Sequence, residues 1–228
     1  MTDMGLNSSF KDKNAASEAT AGVGAEVENS GVGLLSELGF HRVGYCFTGS
    51  FCTFRRSLSV LKTLARGEAE ILPIMSENAY FTDTRFAPCE EFSREVERVC
   101  GNGIIHTVTE AERLGPFEPL DLLIVAPCTG NTLAKLANGI TDTAATMAIK
   151  AHLRADRPTL LGVCTNDGLS QNLANIAFAL NRRSVYLLPM KQDSPVGKPH
   201  SLVAELEMME EAIRALKRGE QLRPIFLT

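Results

Sequence analysis

The segment Leu122-Leu123-Ile124-Val125-Ala126-Pro127-Cys128-Thr129-Gly130-Asn131-Thr132-Leu133-Ala134-Lys135-Leu136-Ala137 carries more structural information than any other part of the chain. Its apolar run, Leu122 to Ala126, stops at Pro127 and gives way to small hydrogen-bonding residues. Leu133, Leu136 and Ala137 then fall on one face of a helix. This pattern predicts a buried strand, a polar loop at its carboxyl end and a helix. In an open α/β sheet such a junction is where ligands bind, because the strand end leaves a crevice and the helix start presents unpaired N–H groups.

The same arrangement recurs on either side. Arg42 to Phe47 reads as a first strand ending in Thr48-Gly49-Ser50, and Phe51, Phe54, Leu58, Leu61 and Ala65 then mark a helical face that Gly67 closes. Glycine, a helix N-terminus and the hydroxyls of Thr48, Ser50 and Thr53 would together make a phosphate cradle; an ordinary serine N-cap explains the turn equally well. Ala69 to Met75 predicts a second strand, with Pro73 placing it at an edge or a bulge. The polar loop Ser76 to Phe86 follows, bearing Arg85, then a helix over Glu90 to Cys100 closed by Gly101, and a short strand within Gly103 to Val108. Beyond the opening segment come a small-residue helix, Asp142 to Leu153, and a strand, Thr159 to Val163, that delivers Cys164-Thr165-Asn166-Asp167-Gly168. A helix from Ser170, a strand at Ser184 to Leu188, a Pro- and Gly-punctuated loop at Met190 to His200 and a last helix carrying Leu202, Leu206, Met209, Ile213 and Leu216 complete the chain.

Strands alternating with helices specify an α/β fold: a Rossmann-like, doubly wound, mostly parallel six-stranded sheet with helices on both faces. A single domain over 33–228 is expected, preceded by a polar, Ala- and Gly-rich tail at 1–32. Gly22-Val23-Gly24-Ala25 in that tail lacks a third glycine and a preceding strand, so it is no dinucleotide fingerprint.

Composition excludes several classes. Of 228 residues, 44% are hydrophobic and 22% charged, as in ordinary globular domains, and the net charge of −4 with no Lys/Arg run argues against nucleic acid. No apolar run approaches the ~20 residues of a membrane span, and no signal peptide is evident, so a cytoplasmic location is expected. The six cysteines form no C-x-x-C and the four histidines no H-E-x-x-H, so no metal site is expected.

In a doubly wound sheet the first, fourth and fifth predicted strands lie side by side. Thr48-Gly49-Ser50, Pro127 to Thr132 and Thr165-Asn166-Asp167 then converge as an anion cradle, an amide-rich wall and one carboxylate. A phosphorylated, flat cofactor suits this crevice better than a nicotinamide dinucleotide, for which the glycine motif and a ribose-binding acid are missing.

These residues carry a resemblance. Thr-Gly-Ser after the first strand, Ala126-Pro127-Cys128-Thr129-Gly130-Asn131-Thr132, Leu136-Ala137-Asn138-Gly139-Ile140-Thr141-Asp142 and Met147 resemble the FMN-binding flavoprotein family that includes the peptidyl-cysteine decarboxylases. The family's central motif usually reads Pro-Ala-Ser-Ala-Asn-Thr; here Cys128, Thr129 and Gly130 depart from it. From about residue 40 onward the chain is similar to one branch of that family. The stretches are Phe47-Thr48-Gly49-Ser50, Thr84-Arg85-Phe86, Leu114-Gly115-Pro116, Ala126 to Asn131, Thr165-Asn166-Asp167, Gln192-Asp193-Ser194-Pro195 and Lys198-Pro199-His200-Ser201.

That branch implies a B subunit acting with an A subunit to oxidise dihydrodipicolinate to pyridine-2,6-dicarboxylate in the mother cell of a spore-forming bacterium. It implies FMN in this chain, with NAD(P) as a candidate on the A subunit, and a homo-oligomer of trimeric units; the Ala-rich helix at Asp142 to Leu153 points the same way. Cofactor contacts carry onto Thr48, Gly49, Ser50, Thr53, Ser76, Pro127, Thr129, Asn131 and Thr132. A small dicarboxylate substrate needs cations, so Arg85 is the expected carboxylate partner, with Asn166 beside it and Lys191 and Lys198 as weaker candidates. Asp167 is either a proton acceptor or a helix cap. No histidine falls in the Ser76 to Phe86 loop, which argues against the decarboxylase alternative, while a non-catalytic binding subunit is the rival of a different class.

Overall fold

The computed structural model describes residues 33–115 and 117–228. The tail, with its Gly22-Val23-Gly24-Ala25, and Pro116 of the Leu-Gly-Pro stretch lie outside the described residues.

In chain order the elements are α1 (Leu34–Glu37), β1 (Arg42–Phe47), α2 (Phe54–Leu64, entered through a 3-10 turn at Phe51–Thr53), β2 (Glu70–Met75), α3 (Glu77–Phe81), α4 (Cys89–Cys100) and α5 (Val108–Glu112). They continue as β3 (Leu122–Cys128), α6 (Gly130–Ala137), α7 (Ala144–Leu153), β4 (Thr159–Thr165), α8 (Leu173–Asn181), β5 (Val185–Leu187), β6 (Met190–Ser194), β7 (Lys198–Ala204) and α9 (Met209–Lys217). The sheet has seven strands among the described residues, in the order β2-β1-β3-β4-β7-β6, with β5 pairing to the start of β4. β2, β1, β3, β4 and β5 run parallel, and β7 and β6 add an antiparallel hairpin to the end of β4.

β3 is central and all seven of its residues are buried. Leu122, Ile124 and Ala126 enter one core with α1, α2, α4 and α9; Leu123, Val125 and Cys128 enter the other with α5, α6, α7 and α8. The two-residue alternation from Leu122 to Ala126, shifted by one at Cys128 where the register is irregular, explains why the strand reads as continuously apolar: both of its faces are covered. At about 1.5–3 kcal/mol for each large aliphatic side chain, β3 alone contributes a substantial part of the hydrophobic stabilisation.

The doubly wound α/β expectation holds, with differences of physical origin. The sheet has seven strands rather than six: Met190 to His200, read as a loop, falls in the β6–β7 hairpin, which adds two strands, while the one expected within Gly103 to Val108 is lost. β6 is short and polar and the first three residues of β7 are exposed, so the hairpin lacks an apolar period until Leu202 and Ala204 enter the core. Leu202 belongs to β7, paired with Thr165, and its helical spacing to Leu206 is coincidental. β3 continues through Pro127 to Cys128 with a register irregularity after Val125, a place where a residue lacking N–H is tolerated. The strand expected within Gly103 to Val108 reduces to one bridge, Ile74 to Ile105, because Thr107 and Glu110 form a capping box that starts α5. β2 is the edge that Pro73 implied, apart from that bridge.

Ala144, Ala145 and Ala148 of α7 are buried within this chain's own core, so they give no argument for self-association. Gly115 sits so close to α7 that an added Cβ would lie 2.8 Å from the Ala151 carbonyl oxygen. The small residues of α7 thus answer close packing inside the chain.

Candidate functional site

The carboxyl ends of β1 and β3 are joined by Thr48. Its buried hydroxyl donates to the Pro127 carbonyl at 2.8 Å and accepts the Thr129 N–H at 2.9 Å, while the Thr48 N–H also reaches the Pro127 carbonyl at 3.2 Å. Thr129 then caps α6, its Oγ1 accepting the Thr132 N–H at 3.2 Å and lying 3.0 Å from the Thr132 hydroxyl. On the other side the Ser76 N–H donates to the Phe47 carbonyl at 3.0 Å, and the Ser76 Oγ accepts the Ala79 N–H at the start of α3. Three strand ends, β2, β1 and β3, are therefore fixed to one another by hydroxyls and backbone.

Between them lies a cleft of about 330 Å³. Gly49, Ser76, Thr129, Asn131 and Thr132, all named from sequence, line it together with Glu77, Asn78, Lys135 and Thr143. Lys135 Nζ is held 2.8 and 3.0 Å from the two Asp142 oxygens, and Glu77 Oε1 accepts the Ala144 N–H at 3.3 Å, tying α3 to the start of α7. Asn131 is exposed and its side chain makes no hydrogen bond among the described residues.

Thr165-Asn166-Asp167 at the end of β4 behaves differently. Asp167 Oδ1 accepts from the Thr165 hydroxyl at 2.5 Å and the Asn172 amide at 2.8 Å, and the Thr165 hydroxyl, with Asn172 aiding, holds the carboxyl below its usual range. A carboxylate so held is a weak proton acceptor. It braces the turn before α8, nearer to the capping role than to the catalytic one. This network also presses on Gly130: an added Cβ there would lie 2.3 Å from Thr165 Oγ1 and 2.5 Å from Asn172 Nδ2.

The departures from the family motif thus have local causes. Gly130 makes room for the Asp167 network, Thr129 supplies the N-cap, and Cys128 is fully buried, with burial pushing its thiol well up. Cys128 is a packing residue.

Several expected residues lie away from the cleft. Arg85 is exposed with its guanidinium 4.9 Å from the Phe86 ring centre, and Asn166 is exposed on the β4 turn. Lys191 pairs with Glu205, and Lys198 Nζ lies 2.5 Å from Asp193. Thr53 is buried and donates to the Ser50 carbonyl at 2.7 Å; Ser50 itself follows a tight turn, its N–H 2.6 Å from the Thr48 carbonyl. Pro127 contributes its carbonyl to Thr48 and no side chain to the cleft. His106 stacks on Tyr80 of α3 at 4.0 Å, also outside the cleft lining.

Sequence reasoning missed Glu77, Asn78, Lys135 and Thr143. The signal for Lys135 was present: it follows Asn131 by four residues and Thr132 by three, which places all three on one helix face. Glu77 and Asn78 were hidden because Ser76 to Phe86 was read as a loop, whereas Ser76 caps the short helix α3.

The residues fit a flavin mononucleotide in the chemistry of their donors. Hydroxyls, the amides of Asn78 and Asn131 and one ammonium converge, and a Cβ at Gly49 would meet nothing nearer than 3.8 Å, so the space there is open for a phosphate or polyol. The family described as Flavoprotein matches residues 34–193, and the chain belongs to it. The B subunit of dipicolinate synthase from Bacillus subtilis (strain 168) is 36% identical over 193 residues, spanning 85% of this chain and 96% of that protein. The crystal structure of the corresponding dipicolinate synthase protein from Bacillus halodurans C matches with a TM-score of 0.75 and 36% identity, over 82% of this chain and 96% of that one. A dodecameric FMN-dependent UbiX-like decarboxylase from Escherichia coli O157:H7 shares the fold, with a TM-score of 0.58, 21% identity and coverage of 79% and 96%. Among the described residues no helix is long and apolar enough to cross a membrane.

Proposed function

We propose that this chain is the FMN-binding B subunit of a two-subunit dipicolinate synthase that oxidises dihydrodipicolinate to pyridine-2,6-dicarboxylate in the cytoplasm. The observation that carries the reading is the Thr48-centred junction of β1 and β3 and the polar cleft it holds open. The similarity to the dipicolinate synthase proteins of the two Bacillus species supplies the reaction. When bound, the flavin would supply two-electron acceptance. Gly49, Ser76, Thr129 and Thr132 would hold its polar end, and Asn131 would face the ring.

Removal of two electrons and two protons from a dihydropyridine is driven by aromatisation, so the chain's own residues have to orient the substrate and accept one proton. Asp167 is tied into the β4 turn, and Arg85 and Lys191 lie away from the cleft. These observations favour a second reading of the division of labour, in which the A subunit completes the substrate site, with NAD(P) as its redox partner. Self-association belongs to the same proposal, with trimers as the unit.

Reconstitution on freshly made dihydrodipicolinate separates the cases. The expected result is flavin-dependent dipicolinate formation that requires both subunits. Unchanged turnover by the A subunit without this chain would contradict the proposal.

A further inference from the structure

Lys135 is the one cation among the residues lining the cleft, and Glu77 is the one carboxylate. An anionic ligand entering here meets Glu77, so a positive charge is needed to offset it, and neither Arg85 nor Lys191 is in reach. The Lys135 side chain is only 21% exposed whereas that of Asp142 is 58% exposed. An ion pair to so solvated a carboxylate is weak. An ammonium has three N–H donors, and two contacts to Asp142 leave one for the cleft. Four and three residues before it, Asn131 and Thr132 present an amide and a hydroxyl on the same face.

We propose that Lys135 is the cation that receives a ligand oxyanion in this cleft, with Asp142 acting only as its counter-ion in the free protein. The oxyanion is a phosphate of the cofactor or a carboxylate of the pyridine dicarboxylate, and the inference rests on the function proposed above. Lys135 is then the binding residue for which Arg85 was the sequence candidate.

The test is titration of the full chain, stripped of flavin, as wild type, Lys135→Gln and Asp142→Asn. FMN and riboflavin binding are followed by fluorescence, and pyridine-2,6-dicarboxylate binding by calorimetry. If the phosphate is the partner, Lys135→Gln weakens FMN by about 10- to 100-fold, the range of a charge-assisted hydrogen bond, and leaves riboflavin unchanged. If the carboxylate is the partner, FMN is unchanged and the dicarboxylate weakens by a similar factor. In either case Asp142→Asn, which removes the counter-ion but keeps the cation, stays within about 3-fold of wild type.

Two results would overturn the inference: Lys135→Gln binding both ligands as wild type does, or Asp142→Asn losing as much as Lys135→Gln. The second would mean that the pair braces the α6–α7 connection. Should Lys135→Gln fail to fold, Lys135→Met, which keeps the apolar stem without the charge, is titrated in its place and read by the same outcomes. A wild type without flavin affinity but with Lys135-dependent dicarboxylate binding would sink the flavin reading and leave Lys135 standing; a wild type that binds neither ligand sinks both.

Discussion

Two polar strand ends that look alike in sequence do opposite things in the fold. Thr48-Gly49-Ser50 after β1 meets Pro127 to Thr132 after β3, and the hydroxyl of Thr48 satisfies the backbone of Pro127 and Thr129, so the side chain of Asn131 and the space over Gly49 remain available. Thr165-Asn166-Asp167 after β4 turns inward, spends its carboxylate on Thr165 and Asn172, and leaves no room at Gly130. A strand end becomes a site when its backbone is satisfied near the strand and a polar side chain such as Asn131 is left over. It becomes a brace when its one charged group is taken up by its neighbours.

The most damaging way to break the first end is Thr48→Val. It preserves shape but removes the acceptor of the half-buried Thr129 N–H and one donor to Pro127. A loss of about 2–3 kcal/mol is expected in denaturant unfolding, with flavin binding lost in parallel. The corresponding lesion at the second end is Gly130→Ala. Ala favours a helix start over Gly, but the contacts at 2.3 and 2.5 Å outweigh this, and a loss of about 1–3 kcal/mol is expected. Unchanged stability would mean that the Asp167 network yields freely and is no brace.

How much of this contrast was legible is instructive. The β3–α6 junction could be read because a doubly covered strand is apolar at every position and its helix repeats at three and four. β6 and the exposed start of β7 could not, because strand segments held by backbone pairing carry no apolar period. Thr48, Gly49, Thr129, Asn131 and Thr132 were found as residues that follow buried strands. Arg85 and Lys191 were chosen for chemistry alone, and charge says nothing of direction: one lies over Phe86 and the other pairs with Glu205. Lys135 was overlooked because it sits a turn inside a helix, where lysine is ordinarily a solvated surface residue.

Acid sharpens the comparison more gently. The folded pKa of Asp167 lies below its unfolded value of about 3.9, so its contribution is present above about pH 4 and is lost as pH falls from there through the folded value. Thermal unfolding between about pH 3 and 6 should therefore fall less steeply for Asp167→Asn than for wild type. Parallel curves would remove the ionised carboxylate from the account of this turn. The smallest effect is reserved for Arg85→Ala, which should leave flavin affinity within about 2-fold, since the guanidinium is exposed and outside the cleft. A large loss on fluorescence titration would bring the Thr84-Arg85-Phe86 stretch into the site.

The central claim, that the β1–β3 end is a flavin site in this chain, is tested most directly by the absorbance spectrum of the purified protein and the flavin released on heat denaturation. The account predicts a yellow protein, or one that turns yellow on adding FMN, releasing about one FMN per chain from the wild type and far less from Thr48→Val. A colourless protein that takes up no added FMN would contradict it.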